Sequence, residues 1–319
     1  MPEPTAMNQD AALAVAATAI RAAIACPAGR PIIRSFFDEA SFTASYVVHD
    51  PRTHKAAIID SVLDFDAASG RTAHHSADAI IAYVQAEELS IAWLLETHAH
   101  ADHLSAAPYI QERLGGRLAI GRAITTVQQV FGRIFDQAAD FATDIDREGA
   151  YFDRLFDDGD RFDIGDIAVT VLHVPGHTPA DVAYVVGDAL FCGDTLFMPD
   201  YGTARADFPG GDARQLFQSI RRLMTLPDRT RVFLCHDYQA PGRDSFVWET
   251  TIGAERTGNV HVHQGVTEDA FVAMRTARDA TLGMPRLILP SVQVNMRGGQ
   301  LPEPEANGTR YLKLPLNVL

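Results

Sequence analysis

The amino-acid sequence predicts a layered α/β fold, and two observations carry that prediction. The elements of the front half read in the order β-β-α-β-α-β. Side chains suited to ligating a metal then fall where apolar strand candidates end. Residues 11–20 are alanine-rich and read as a short helix or a loose tail. They resemble the apolar core of a signal peptide only superficially, because Glu3 and Asp10 precede them, no lysine or arginine does, and Arg21 interrupts the apolar stretch. After the breaker Cys26-Pro27-Ala28-Gly29-Arg30, residues 42–48 and 56–60 read as strands about a turn at Pro51. Residues 64–75 are polar and read as a loop. Residues 76–88 have helical spacing, with Ile80, Ile81, Val84 and Leu89 turned inward and Ser76 as an N-cap. A buried strand over 91–95, a helix over 105–114 and a strand over 116–120 come next. Residues 123–149 read as helical with acidic loops and have no assigned role. Further strands are expected over 167–174, 182–186, 189–192 and 231–235, and helices over 212–226 and 267–281. With no exact repeat and no low-complexity linker, residues 31–319 are expected to form one catalytic domain with a C-terminal extension, preceded by a helical or flexible segment over 1–30.

Composition narrows the function. A chain of 319 residues, 47% of them hydrophobic, can bury a large core. A formal charge of −14 argues against a nucleic-acid surface, which needs basic patches. No apolar run is long enough to cross a bilayer, so no membrane partner is expected. Three cysteines (Cys26, Cys192, Cys235) make no disulfide framework and suit a reducing compartment, with the cytoplasm as the expected location. Cys192 and Cys235 read as packing residues, because free cysteine behaves as a small hydrophobe.

The chemistry concentrates in Thr97-His98-Ala99-His100-Ala101-Asp102-His103, directly after the strand over 91–95. Neutral imidazole and carboxylate bind first-row transition metals, and tight spacing lets several converge on one or two ions. On an amphipathic helix such a cluster is a solvated face. At a strand end, grouping these side chains without an ion is electrostatically wasteful. Three more strand ends repeat the pattern: Val174-Pro175-Gly176-His177-Thr178-Pro179, Phe191-Cys192-Gly193-Asp194-Thr195 and Leu234-Cys235-His236-Asp237. Each alone has a bland reading as turn or cap chemistry. His173 falls in the alternation of Ile167, Val169 and Val171 and reads as a core residue. His74, His75, His261 and His263 read as surface residues. Gly210-Gly211 lacks the lysine and strand of a phosphate loop.

Taken together, His-X-His-X-Asp-His, Gly-His-Thr, Gly-Asp-Thr and a late His resemble the metallo-β-lactamase superfamily from about residue 31 onward. The resemblance implies an αββα sandwich with metal at one rim. Within the superfamily the chain is similar to bacterial persulfide dioxygenases, also called sulfur dioxygenases. The matching stretches are Phe36-Phe37-Asp38-Glu39-Ala40, Glu-Thr-His-Ala-His-Ala-Asp-His-Leu over 96–104, Ala204-Arg205-Ala206-Asp207-Phe208-Pro209-Gly210-Gly211 and Leu289-Pro290-Ser291-Val292-Gln293-Val294-Asn295.

Spacing alone leaves two sites open. In a two-metal site His98, His100 and His177 would hold one ion and Asp102, His103 and His236 the other, with Asp194 bridging. Such a site, with two Zn, would activate water toward an ester, thioester or lactam, as in a glyoxalase II-like hydrolase or a lactonase. In a one-metal site His98, His177 and Asp194 form a two-histidine, one-carboxylate face with open positions suited to Fe(II). The dioxygenase resemblance implies the second: one Fe(II) per chain, oxidation of glutathione persulfide by O₂ to sulfite and glutathione, and His100, Asp102, His103 and His236 as groups that orient the ligands. A metal-binding module without catalysis is disfavoured by the open positions. Glutathione carries two carboxylates, so a cationic anchor is expected. Arg205 is the candidate, against the alternative that it pairs with Asp200 or Asp207. Tyr201 and Tyr238 are candidate substrate contacts. Ala206 stands where many relatives have cysteine. A homo-oligomer through the apolar face of residues 11–25 is the remaining partner expectation.

Overall fold

A computed structural model describes residues 7–141 and 151–318, and the alternation of side chains along its strands explains the layering. In β2 (Thr43–His49), Tyr46 and Val48 face one way and Val47 the other. β3 (Lys55–Ile59) separates Ala57 and Ile59 from Ile58, and β6 (Ser90–Leu95) separates Trp93 and Leu95 from Leu94. Strands apolar on both faces need a cover on each side.

The covers are a second sheet and two helical layers. Sheet one runs β1-β2-β3-β6-β8-β9, completed by β1 (Ile32–Asp38), β8 (Arg117–Gly121) and β9 (Arg154–Phe156). Sheet two runs in chain order through β10 (Arg161–Ile164), β11 (Ile167–His173), β12 (Val182–Val186), β13 (Ala189–Phe191), β14 (Arg231–Phe233) and β15 (Glu249–Thr251). Tyr46, Trp93 and Phe156 of sheet one share a core with Phe162, Tyr184 and Phe191 of sheet two. The outer face of sheet one lies under α2 (His75–Ala86), α3 (Ala107–Leu114), α4 (Ile124–Ile134) and α8 (Ile288–Asn295). That of sheet two lies under α1 (Met7–Ala25), α5 (Ala213–Leu223), α6 (Ile252–Gly258) and α7 (Glu268–Asp279). The αββα sandwich is therefore present, each buried Ile, Leu or Phe contributing about 1.5–3 kcal/mol.

Several local expectations are corrected. The polar stretch 64–75 is not a loop: β4 (Val62–Asp66) and β5 (Arg71–Ala73) form a hairpin, and β4 also pairs with β7 (Leu104–Ser105). Its turn is built by Asp66, whose carboxylate accepts from Ser69 Oγ at 2.6 Å and the Ala68 N–H at 3.0 Å. A charged edge hairpin carries no apolar alternation, which is why periodicity missed it. Ser76 is not the N-cap of α2; His74 holds that place, and the Ser76 hydroxyl bonds Asp64 at 2.7 Å. β7 delays the start of α3 to residue 107. The helix expected within 123–149 is α4, while residues 142–149 lie outside the described residues.

α1 is longer than the short helix or loose tail expected, and Ala12, Ala16, Ala17 and Ile20 on it are buried against Leu172, Ala183 and Val185. That face of the helix packs within the chain, while Ala14, Val15 and Ala22 on its other side are exposed. Among the described residues no helix is long and apolar enough to cross a membrane.

One edge of the sandwich gathers the metal-ligating residue types. There β3 ends before Asp60, β6 before Glu96–His103, β11 before His177, β13 before Asp194 and β14 before His236. The two sheets are joined at the same edge, where Thr43 bridges His236 and the Ala44 N–H donates to the Cys235 carbonyl at 2.7 Å.

Candidate metal centre

Backbone conformation sets two of the ligand turns. Gly193 has φ +52, and a Cβ there would sit 2.6 Å from Thr97 Oγ1, so only glycine lets the Asp194 turn close onto the histidine loop. Gly176, at φ +146, would drive a Cβ to 2.3 Å from the Leu216 backbone, so the turn before His177 packs directly on α5.

These turns bring His98, His177 and Asp194 together with their ligating atoms within 4.8 Å of one another, all three buried. His98 Nε2 and His177 Nε2 stand 3.8 and 3.6 Å from Asp194 Oδ2. That is long for a hydrogen bond and suits donors that share an ion at about 2.0–2.2 Å. The ring orientations agree. His177 Nδ1 lies 2.8 Å from the Arg205 carbonyl, which fixes the proton there, and His98 Nδ1 lies 3.0 Å from Thr97 Oγ1. Each ring thereby presents Nε2 to the centre.

Of the remaining ligand types, His236 faces the other oxygen of Asp194, its Nε2 3.3 Å from Oδ1. Here the side chains are knitted to one another. Thr43 Oγ1 lies 3.3 Å from Asp102 Oδ2 and 3.4 Å from both His103 Nδ1 and His236 Nδ1. The same Asp102 oxygen lies 3.2 Å from His103 Nδ1 and 3.4 Å from His236 Nε2. His236 Nδ1 also faces the Phe42 carbonyl at 3.1 Å.

Beneath both sets, His100 Nε2 sits between Asp60 Oδ1 at 3.1 Å and Glu96 Oε2 at 3.4 Å. Asp60 accepts from the Thr97 N–H at 2.7 Å and hydroxyl at 2.8 Å, and Glu96 accepts from Ser105 Oγ at 2.5 Å. Burial opposes charge on His100, but the Asp60 carboxylate outweighs it and raises the imidazole well above its ordinary value. Burial raises Asp60 in turn, and His100 more than reverses this, leaving it lowered. His98 goes the other way: burial, then the neighbouring imidazoles of His100 and His177, hold it well below its ordinary value. A neutral imidazole is the form that ligates a metal.

Buried polar atoms without a hydrogen-bond partner mark the space the side chains enclose. Among the described residues they include His98 Nε2, His100 Nδ1, His103 Nε2, His236 Nε2 and Asp194 Oδ1. Such groups are costly unless something completes them. A metal ion can complete donors of this kind, and the nitrogen and carboxylate set of His98, His177 and Asp194 fits a first-row transition metal.

The centre opens into a cavity of about 390 Å³, lined by His177, Asp194 and Asp102 at its floor. Tyr201 and Tyr238 both stand in its wall, their rings 5.4 Å apart, and Tyr238 stacks on His236. Arg205 lines it too, but its guanidinium grips Asp207 at 2.6 and 2.8 Å, donates to the Gly283 carbonyl at 2.7 Å and covers Phe208. Asp200 instead pairs with Arg243. Cys192 and Cys235 are buried, and burial raises both thiols. His261 is half-buried: its Nδ1 accepts from the Thr203 N–H at 3.1 Å, and burial pushes it down to about 4. His74 is half-buried and stacks on Tyr109. His173 is half-buried at the end of β11, its Nε2 3.0 Å from the Pro179 carbonyl.

Sequence reasoning missed four residues of this centre. Asp60 ends a strand as the ligands do, so its position was a usable signal, and Glu96 directly precedes the histidine run. Thr43 had none. Asn295 is buried and accepts from the Ser105 N–H at 2.8 Å, while its amide donates to the carbonyls of His100 and His103 at 2.8 Å each. Its reach across the chain is visible only in the fold.

Comparison with known proteins gives the family. The family model for the metallo-beta-lactamase superfamily matches residues 39–236. A probable metallo-hydrolase of Burkholderia pseudomallei is 56% identical over 297 residues, covering 90% of this chain and 99% of that protein. Glyoxylase B2 of Dictyostelium discoideum is 46% identical over 90% of this chain and 97% of its own length. The mitochondrial persulfide dioxygenase of Mus musculus is 28% identical over 85% of this chain and 90% of its own. The chain spans only 65% of the length of the beta-lactamase hydrolase-like protein of Agrobacterium fabrum, to which it is 53% identical over 91% of this chain. Among solved structures, that of ETHE1 from Myxococcus xanthus has a TM-score of 0.66 at 29% identity, covering 84% of this chain and all of that one. With its ligand set, sandwich and matched residues in agreement, the chain belongs to the metallo-beta-lactamase superfamily.

Proposed function

We propose that this chain is an Fe(II)-dependent persulfide dioxygenase that oxidises glutathione persulfide with O₂ to sulfite and glutathione, with residues 31–319 as the catalytic unit. The observation that carries this is the contrast within the ligand set. His98, His177 and Asp194 form a two-histidine, one-carboxylate face whose members His177 and Asp194 open onto the cavity. Among the described residues His103 and His236 do not line that cavity, and the Thr43 hydroxyl links both to Asp102, although their Nε2 atoms stay open. Likeness to the Mus musculus and Myxococcus xanthus proteins supports the same assignment.

His98, His177 and Asp194 would hold the iron. Bound there, Fe(II) supplies the one-electron chemistry that lets O₂ react with a sulfur anion. The balanced reaction turns glutathione persulfide, O₂ and water into glutathione, sulfite and two protons. The terminal sulfur gives up four electrons and O₂ takes them.

The protein's own part is positioning. The Arg205 carbonyl fixes the His177 ring. Thr43 and the Phe42 carbonyl hold His236 beside Asp194. Phe197, Phe208 and Leu287 line the cavity and restrict water around the reacting sulfur.

A second reading, a binuclear zinc hydrolase, is favoured by a specific observation. His103 Nε2, His236 Nε2 and His100 Nδ1 are also buried without partners, and Asp194 offers a second oxygen toward them. The names of the Burkholderia and Dictyostelium relatives point the same way. Anaerobic purification with metal analysis, then parallel assays of O₂ uptake with glutathione persulfide and of thioester cleavage, separates the two. One iron per chain with O₂ uptake and sulfite release is expected. Two zincs per chain with thioester cleavage and no O₂ uptake overturns the proposal.

A further inference from the structure

Four arginines line the cavity over the metal centre, and they differ in what already holds them. Arg205 is taken by Asp207 and the Gly283 carbonyl. Arg275 is buried and bound to Asp279 and the Thr203 carbonyl. Arg278 and Arg286 are exposed, and neither forms an ion pair or donates a side-chain hydrogen bond among the described residues. Among the described residues, the only carboxylates in the same lining are Asp102 and Asp194, both in the metal centre. Asp66, across the adjoining cavity that Arg286 also borders, feels Arg286 at long range without pairing with it. In a chain of net charge −14, two unengaged guanidinium groups on one rim are a local excess of positive charge.

We propose that Arg278 and Arg286 form the anion-binding end of the substrate pocket and take the two carboxylates of a peptide thiol carrier whose sulfur faces the metal. This rests on the proposed function for the identity of the carrier as glutathione, but the anion site itself does not depend on the reaction. The arrangement suits such a molecule. Buried metal ligands, the buried apolar side chain of Leu287 and the exposed guanidinium groups of Arg278 and Arg286 line one cavity. A cavity of about 390 Å³ holds a ligand of that size, since small-molecule sites run from roughly 300 to 1,000 Å³. Arginine is the side chain that recognises a carboxylate through two parallel hydrogen bonds.

Arg205 has a different task. By gripping the Gly283 carbonyl it pins the segment between α7 and α8, at whose two ends Arg278 and Arg286 stand. It is a positioning residue for the anion site.

The test is calorimetric titration of the metal-loaded protein with glutathione, glutathione dimethyl ester and coenzyme A, alongside persulfide-oxidation kinetics. Arg278→Ala and Arg286→Ala are expected to weaken glutathione binding roughly fivefold to tenfold each, and the double variant roughly 30-fold or more, as for charge-assisted contacts at a solvent-accessible rim. The ester should bind the wild type as weakly as glutathione binds the double variant. KM for the persulfide should rise with kcat within about twofold of wild type. Melting temperatures should be unchanged, and Arg278→Lys with Arg286→Lys should restore part of the affinity. The proposal is overturned if the double variant binds glutathione within about twofold of wild type, if the wild type binds no glutathione, or if coenzyme A binds more tightly. Arginine-dependent glutathione binding without O₂ uptake would sink the dioxygenase reading and leave the anion site standing. Persulfide oxidation with an unchanged KM in the double variant would do the reverse.

Discussion

The two sides of Asp194 use the same residue types and treat them differently. Toward Oδ2, His98 and His177 have their Nδ1 atoms engaged by Thr97 and the Arg205 carbonyl, and their Nε2 atoms face the centre. Toward Oδ1, Asp102, His103 and His236 share hydrogen bonds through one threonine hydroxyl. What a ligand residue can do is thus set by which of its polar atoms the neighbours have already claimed. Nε2 stays open on histidines of both sides, and what differs is that a shared hydroxyl couples the second set to Asp102.

The largest effects should come from breaking this comparison outright. His98→Ala, His177→Ala and Asp194→Ala should each lower iron affinity by well over 100-fold, whereas His236→Ala should retain most of the iron, with a loss of about 10- to 100-fold in affinity or activity. Metal analysis of protein purified without oxygen measures this. Equal loss in all four would make the two sides equivalent and count against a one-metal centre.

A buried carboxylate away from the centre serves as the counter-example. Glu255 in α6 is hydrogen-bonded to Asn259 and burial pushes it up to about 8, whereas the interaction with His100 draws the equally buried Asp60 down. Its folded value lies above the unfolded one, so ionisation works against folding. Stability should fall as pH rises from about 4.5 to about 8 and then level off. Glu255→Gln should remove that slope, gaining on the order of 4 kcal/mol at pH 8 and almost nothing at pH 4. Urea unfolding at the two pH values is the measurement. A gain that is equal at both would show that titration is not the cause.

Asn295→Ala should destabilise by roughly 2–4 kcal/mol, because it leaves the Ser105 N–H and two carbonyls of the histidine loop without partners. Iron affinity should fall with it, whereas a variant that only loosens the core would keep its affinity. The smallest and sharpest change is Thr43→Val, which keeps the shape and removes the hydroxyl shared by Asp102, His103 and His236. It should reduce kcat roughly tenfold with iron content and melting temperature close to wild type. Loss of iron in this variant would mean that the knitted side holds metal after all.

Much of this was legible in the sequence. The strand that leads into the histidine loop has a run of apolar residues long enough to be buried on both faces, and the loop residues cannot be buried without an ion. His177, Asp194 and His236 could each be placed at a strand end from local patterning. Other features carried no local signal. The 64–75 hairpin is too charged to alternate, and Thr43 looks like any strand threonine. The outcome for Arg205 turned on Asp207, two residues away, and Arg278 and Arg286 lie in a segment with no motif at all.

By itself, then, the sequence determined the inventory: alternating apolar strands that demanded a two-sheet sandwich, and seven side chains of metal-ligating type at the ends of four of them. Those properties are local, because burial preference and ligand chemistry belong to the residue and its immediate neighbours. Only the tertiary structure decided which polar atoms and which arginines remain without a partner among the described residues. Hydrogen bonds and ion pairs are settled among residues far apart in the chain, as when Asn295 reaches the loop of His100 and His103, and each partner taken leaves one fewer for a metal or a substrate.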